Sequence, residues 1–210
     1  MRAVNIAQIS PRLRRVVLSV LGVVALAGCE ISSSFNPDSP TELQEALTEY
    51  RPVAVTRTFI DVPQALIVLE RNLGDAIEQR VTLPNATTLA GENVIMLRAQ
   101  TSGRGARSRF QLDEMLSQFG GAPSPFSTLT EGAMTARSDS FGDITYSVLR
   151  PGGDLICVLA FRRAQTGARA LPRGARALDI MMRNCVPGSV DDALRPLGER
   201  AFRLGLPHAG

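Results

Sequence analysis

Residues 144–162 read ITYSVLRPGGDLICVLAFR, and this stretch decides the fold. Two β-rich runs, Ile144–Arg150 and Leu155–Arg162, flank Pro151-Gly152-Gly153-Asp154. Two such runs around a short Pro-Gly turn predict an antiparallel hairpin. A further run, Ala177–Arg183, leads to Cys185 and predicts a strand beside that hairpin. Upstream, Val53–Phe59, Ala65–Leu69, Ala76–Leu83 and Val94–Ala99 are short β-type runs, the last following the turn signal Gly91-Glu92-Asn93.

Helical signals punctuate these runs. Ser39-Pro40-Thr41-Glu42 is a helix start, with Leu43, Ala46, Leu47 and Tyr50 forming a short apolar stripe over about 40–49. Ser108 and Gln111 fit a capping box for a helix over about 108–119, whose face is Leu112, Met115, Leu116 and Phe119 and whose stop is Gly120-Gly121. Ser189-Val190-Asp191-Asp192 caps a last helix running to about Arg203, with Ala193, Leu194, Leu197, Ala201 and Phe202 inward and Gly205 as its end. Strands joined by hairpins, with two or three short helices, predict an α+β domain with a mostly antiparallel sheet over 41–205.

The N-terminal part has a different character. Arg2, Arg12, Arg14 and Arg15 are the only charges before residue 29, and the apolar run Val16–Leu26 is 11 residues long. A membrane-spanning helix needs about 20 residues, so this pattern predicts a secretory signal peptide over 1–28. Leu26-Ala27-Gly28-Cys29 resembles the lipobox of bacterial lipoproteins. The resemblance implies cleavage before Cys29 and attachment of acyl chains to that residue, each buried methylene contributing about 0.8 kcal/mol to membrane binding. The competing reading is a short buried helix ending in a core cysteine. The Arg14-Arg15 pair stands without the rest of a twin-arginine motif. Residues 29–40, polar and rich in Ser and Pro, predict a flexible tether, and 206–210 a disordered tail.

Removing residues 1–28 changes the charge balance. The chain has 23 basic and 20 acidic residues; losing four arginines leaves 19 against 20, a net of −1. That gives no basis for a nucleic-acid partner. All the basic residues are arginine, and the absence of lysine excludes a Walker P-loop, a Schiff base and a Ser–Lys dyad. With Cys29 lipidated, Cys157 and Cys185 form an even pair, which in an exported protein reads as a disulfide. Its loop of about 28 residues corresponds to roughly 3–4 kcal/mol. The alternative is two buried thiols.

Several stretches together resemble the BcsN family of cellulose biosynthesis proteins of alphaproteobacteria. They are VLERNLGDAIEQRVTL (68–83), GENVIMLRAQ (91–100), FGDITYSV (141–148), GGDLICVLAFRR (152–163) and LDIMMRNC (178–185). The resemblance covers roughly 53–205 and leaves Gly121–Met134 unmatched. It implies a role accompanying cellulose production and export, places the family's cysteine pair on Cys157 and Cys185, and brings no catalytic residue.

The residues themselves offer little chemistry. His208 is the one histidine, so Ser-His-Asp and Cys-His arrangements are nearly closed off, and Cys157, Cys185 and His208 lack zinc-ligand spacing. GRGARS (103–108) resembles G-x-G-x-x-G but carries Ser108 in place of the third glycine. Its neighbourhood reads as a solvated loop, although Arg104, Arg107 and Arg109 suit an anionic glycan or headgroup. Asp113-Glu114 and Asp191-Asp192 read as helix first-turn charges, and Asp139 and Asp143 lack calcium-loop spacing. With no Trp and only Tyr50 and Tyr146, the chain lacks the flat rings that glucan grooves present, and its eight Phe residues read as core. No cofactor or metal is expected. The sequence thus predicts a non-catalytic envelope lipoprotein accessory to cellulose (exopolysaccharide) biosynthesis and export. It would be held to a membrane by lipid, face the periplasm, and have other export-apparatus proteins as partners. The alternatives are a periplasmic glycan hydrolase using two carboxylates and a generic ligand-binding lipoprotein.

Overall fold

The computed structural model describes residues 40–101, 110–165 and 174–203. The proposed signal peptide, the tether with Cys29, the GRGARS loop with Ser108 and its arginines, the Gly205 stop and the tail with His208 lie outside them.

Eight strands form one sheet: β1 Arg51–Val53, β2 Ile67–Asn72, β3 Ala76–Thr82, β4 Val94–Gln100, β5 Thr135–Asp139, β6 Gly142–Gly152, β7 Leu155–Gln165 and β8 Ala177–Pro187. Their order is β1-β2-β3-β4-β8-β7-β6-β5, and every neighbouring pair is antiparallel. Two four-strand meanders therefore meet where β4 lies against β8. Short helices accompany them: α1 Pro40–Leu47, α2 Leu112–Gln118, α3 Val190–Leu194 and α4 Arg200–Arg203. The expected α+β class with a mostly antiparallel sheet is what the chain adopts.

Alternation along the strands divides the core in two. Val68, Val81, Ile95, Leu97, Ile180, Met182, Val158 and Ala160 belong to the larger cluster, which Phe59, Ile60, Leu194, Leu197 and Phe202 complete. Met181, Leu159, Phe161 and both sheet cysteines belong to a smaller one, packed against Leu112 and Met115 of α2 and against Phe126. Each fully buried Leu, Ile, Val or Phe side chain contributes about 1.5–3 kcal/mol, so two covered faces suit a central β8 whose residues 177–185 are all buried.

The hairpin at 144–162 forms with a tighter turn than expected. Gly152 pairs with Leu155, leaving Gly153 and Asp154 as the loop, and the register shifts between Leu149 and Gly152. Pro151 has no N–H to donate there, and Gly153 adopts φ +60°, a conformation that favours glycine. Cys157 and Cys185 are direct cross-strand partners, Cα atoms 4.0 Å apart, and are joined by a disulfide. Cys185 lies inside β8, not just past it.

Four expectations are corrected. The strand expected at Val53–Phe59 ends at Val53 and gives way to a 3-10 turn, Val55–Arg57. The chain leaves the sheet so that Phe59 and Ile60 can enter the core, and the Phe59 N–H donates to Gln79 Oε1 at 2.9 Å. The strand expected from Ala65 begins at Ile67. The helix expected over 108–119 starts at Leu112, and Glu131 Oε1 accepts the Leu112 N–H at 3.1 Å; its stop at Gly120-Gly121, both at positive φ, is as read. The single last helix is broken, because Pro196 forces a 3-10 turn over Arg195–Leu197 before α4. Its start is capped where the sequence indicates, and the cap is a capping box: Ser189 Oγ accepts the Asp192 N–H and Asp192 accepts the Ser189 N–H.

Candidate functional site

A lone charge inside an apolar run is costly to bury unless something pairs with it. Five charged residues, two of them lone charges in apolar runs (Arg98 and Asp179), occupy one row across the sheet. Arg71 (β2) is the register partner of Glu78 (β3), Glu78 of Arg98 (β4), Arg98 of Asp179 (β8), and Asp179 of Arg163 (β7). Signs alternate along the row, and Glu78, Arg98 and Asp179 are buried. Glu78 Oε2 accepts from Arg71 Nε at 2.6 Å and from the Tyr50 hydroxyl at 3.0 Å, and Glu78 Oε1 accepts from Arg98 Nη1 at 2.7 Å. Glu45 of α1 also accepts from Arg98, at 2.8 Å. Asp179 takes Arg163 as a fork, Nε at 2.5 Å and Nη2 at 2.9 Å, and accepts from Gln100 at 2.5 Å and Gln118 at 3.1 Å. Thus α1 and α2 each send a polar side chain onto the row, and both oxygens of each buried carboxylate are occupied.

The surroundings tune these groups. Burial, followed by the Glu78 charge, pushes the Tyr50 hydroxyl up to about 12. For Arg98, burial works against the charge, but the hydrogen bond it donates to Glu45 and the charges of Glu78 and Glu45 outweigh it and raise its pKa. On the opposite face, burial opposes ionisation of Asp139, yet its hydrogen bonds to Arg162 and the Phe141 N–H hold it below the usual carboxylate range. Arg162 is buried, donates to Asp139 and to the Leu197 carbonyl, and lies 4.4 Å over the Phe202 ring. Arg183, whose pKa burial lowers, reaches Asn93 and the Ser124 and Ala90 carbonyls. These groups tie the strands and the short helices to one another.

Two open clefts are formed by described residues. One, of about 490 Å³, is lined by Phe110, Gln111, Asp113, Glu131, Met134 and Thr145. The other, of about 660 Å³, runs beside β1 and includes Leu47, Arg51, Val53 and Arg71.

Of the residues singled out in the sequence, the structure brings together Cys157 and Cys185. Asp113 and Glu114 stand in the first turn of α2, Asp191 and Asp192 in that of α3. Asp113 lines a cleft with Glu131, not with its sequence neighbour. Asp139 serves Arg162 while Asp143 accepts from the Ser138 hydroxyl at 2.5 Å. Tyr50 lies in the charge row, and Tyr146 is partly buried on β6. The unmatched 121–134 segment packs Phe126, Leu129 and Met134 onto the smaller core cluster. Among the described residues no group of three His, Cys, Asp or Glu side chains could hold a metal ion, and no helix is long and apolar enough to cross a membrane.

Comparison with protein-family models, curated proteins and solved structures finds no match for this chain. The likeness to the cellulose family therefore rests on the residues quoted for it alone.

Proposed function

We propose that the protein is a non-catalytic, lipid-anchored component of the cell envelope, accessory to cellulose (exopolysaccharide) biosynthesis and export. The observation that carries this reading is the Cys157–Cys185 bridge. Disulfides belong to oxidising compartments, and the bridge leaves Cys29 as the odd cysteine of three, where the lipobox-like stretch requires a free sulfur. The charge row adds support: the buried carboxylates are occupied by arginines, tyrosine and glutamine amides, as befits a scaffold. The test is deletion of the gene in a cellulose-producing host. Cellulose output is expected to fall and to be restored by the wild-type gene but not by a Cys29→Ala form; unchanged output refutes the cellulose role, and full rescue by Cys29→Ala refutes the anchor.

A second reading, glycan hydrolysis, is favoured by one observation, the cleft that places Asp113 and Glu131 beside Phe110. Two carboxylates across a sugar bond are the usual requirement. Sugar release from β-glucans that disappears in Asp113→Asn would replace the first reading with this one; Glu131 already accepts the Leu112 N–H, which is a helix-capping duty.

A further inference from the structure

Among the described residues, five large apolar side chains are exposed: Leu47 (73%), Val55 (39%), Leu66 (59%), Ile67 (52%) and Leu149 (38%). Four of the five follow a single rim of the sheet. Strand β1 pairs Arg51 with Glu70 and Val53 with Val68. Leu47 lines the cleft beside Arg51 and Val53 at one end of that strand. Val55 follows Val53 by two residues at the other end, and Leu66 and Ile67 directly precede Val68. Arg51 and Arg57 are exposed along the same rim, where Glu49 and Glu70 balance them, Arg57 pairing with Glu70 at 3.2 Å, so the apolar side chains dominate its character.

We propose that this rim is a membrane-contact surface that rests on the phospholipid bilayer holding the acylated Cys29. The proposal rests on the lipid anchor argued above. Cys29 is joined to Pro40 by 11 residue steps, which span at most about 40 Å. From Pro40, α1 extends about 12 Å to Leu47, the first residue of the rim. A domain of this length has a radius of gyration of about 15 Å and so measures about 40 Å across. The α1 side, where the chain from Cys29 enters the domain, is therefore within reach of the lipid at any length of that span, whereas the far side needs nearly all of it. The rim is poorly suited to adding a strand from another protein or a second copy, because β1 has three residues and the middle one, Pro52, has no N–H. Branched and aliphatic side chains with arginines beside them fit a lipid interface, where apolar groups leave water and guanidinium groups meet headgroup phosphates.

The absence of tryptophan supplies the probe. The full chain is produced in a host that acylates it, purified and reconstituted in phosphatidylethanolamine–phosphatidylglycerol vesicles, with Ile67→Trp or Leu149→Trp as the sole tryptophan. Leu149 lies on β6, six strand spacings or about 29 Å from β1 across the sheet. The expected result is that Ile67→Trp emission shifts to the blue and loses more than half its intensity to lipids spin-labelled on the acyl chain, while Leu149→Trp changes little. Equal quenching at both positions, or none at either, overturns the proposal. A blue shift at position 67 without quenching means that a second copy or another protein covers the rim, and also overturns it. The mass of the Cys29 peptide separates the two failures: an acylated chain with an unquenched tryptophan removes only the membrane contact, whereas an unacylated chain removes the anchor and this inference together.

Discussion

Replacing Asp179 by Asn preserves shape and removes one charge from the middle of the row. The side chain is fully buried and accepts four hydrogen bonds, two from Arg163 and one each from Gln100 and Gln118. An amide supplies one acceptor oxygen and turns its NH2 toward groups that are themselves donors. Breaking a buried ion pair costs about 3–5 kcal/mol. The Arg163 side chain keeps 24% exposure and can recover some hydration, which places the expected loss at the low end, about 3 kcal/mol. For a domain of this size that lowers Tm by about 6–12 °C. Urea unfolding with the disulfide intact gives the free energy and differential scanning calorimetry the temperature. Substituting both partners, Asp179→Leu with Arg163→Met, is expected to return stability to within about 1 kcal/mol of the parent, since paired apolar replacement is often neutral. A single-variant loss below about 1 kcal/mol, as for a solvent-screened pair, or a double variant less stable than Asp179→Asn, would refute the reasoning.

Other consequences are as measurable. Removing the bridge with Cys157→Ala and Cys185→Ala is expected to cost about 3–4 kcal/mol by the loop-entropy relation, read as a lower urea midpoint that no longer responds to reductant. In a Tyr146→Phe background the remaining tyrosine of the folded domain, Tyr50, is expected to form tyrosinate with a midpoint of about 12. Because its folded pKa lies above the unfolded value of about 10, the associated stability is present below pH 10 and is lost as pH rises toward the folded value; a midpoint near 10 would contradict its burial against Glu78. Asp139 behaves in the opposite sense. Its pKa is depressed, so its contribution is present above the unfolded value of about 3.9 and is lost as pH falls through the folded one. Urea midpoints of the parent and Asp139→Asn should converge under acid, and parallel curves would count against the Arg162 contact.

Much of the sheet is legible in the sequence because its central strands are apolar runs bounded by Gly, Pro and Asn. The Leu155–Arg162 run and the Ala177–Arg183 run needed no partner information to be recognised, nor did the Ser189 cap. Strand β5 was missed for a physical reason: Thr135–Asp139 is an almost fully exposed edge, and an edge strand without an apolar side carries no alternation to read. The Val53–Phe59 run misled because a strand and a plug that dives into the core need the same apolar residues, and only the rest of the core decides between them. The break at Pro196 had its signal in the open, since proline inside a helical pattern ends or kinks it. The charge row lay partly in view. Arg98 in VIMLRAQ and Asp179 in ALDIMM are single charges in apolar runs, which predicts burial with a partner. Their partners could not be named, because register is a property of strand pairs, and the Arg98–Asp179 alignment spans 81 positions of the chain.

The seam between β4 and β8 governs the order in which the molecule can be completed. Each meander is closed by hairpins among near neighbours, but Val94 must wait for Arg183 and Gln100 for Ala177. A chain that emerges from a ribosome or threads a translocation pore N-terminus first can assemble its first four strands early. It then presents the greasy β4 margin unprotected until the last strand arrives. Vectorial delivery thus makes the C-terminal segment a closing seal, and a stalled or truncated product ending before residue 177 would retain an adhesive edge that invites aggregation or a holding chaperone.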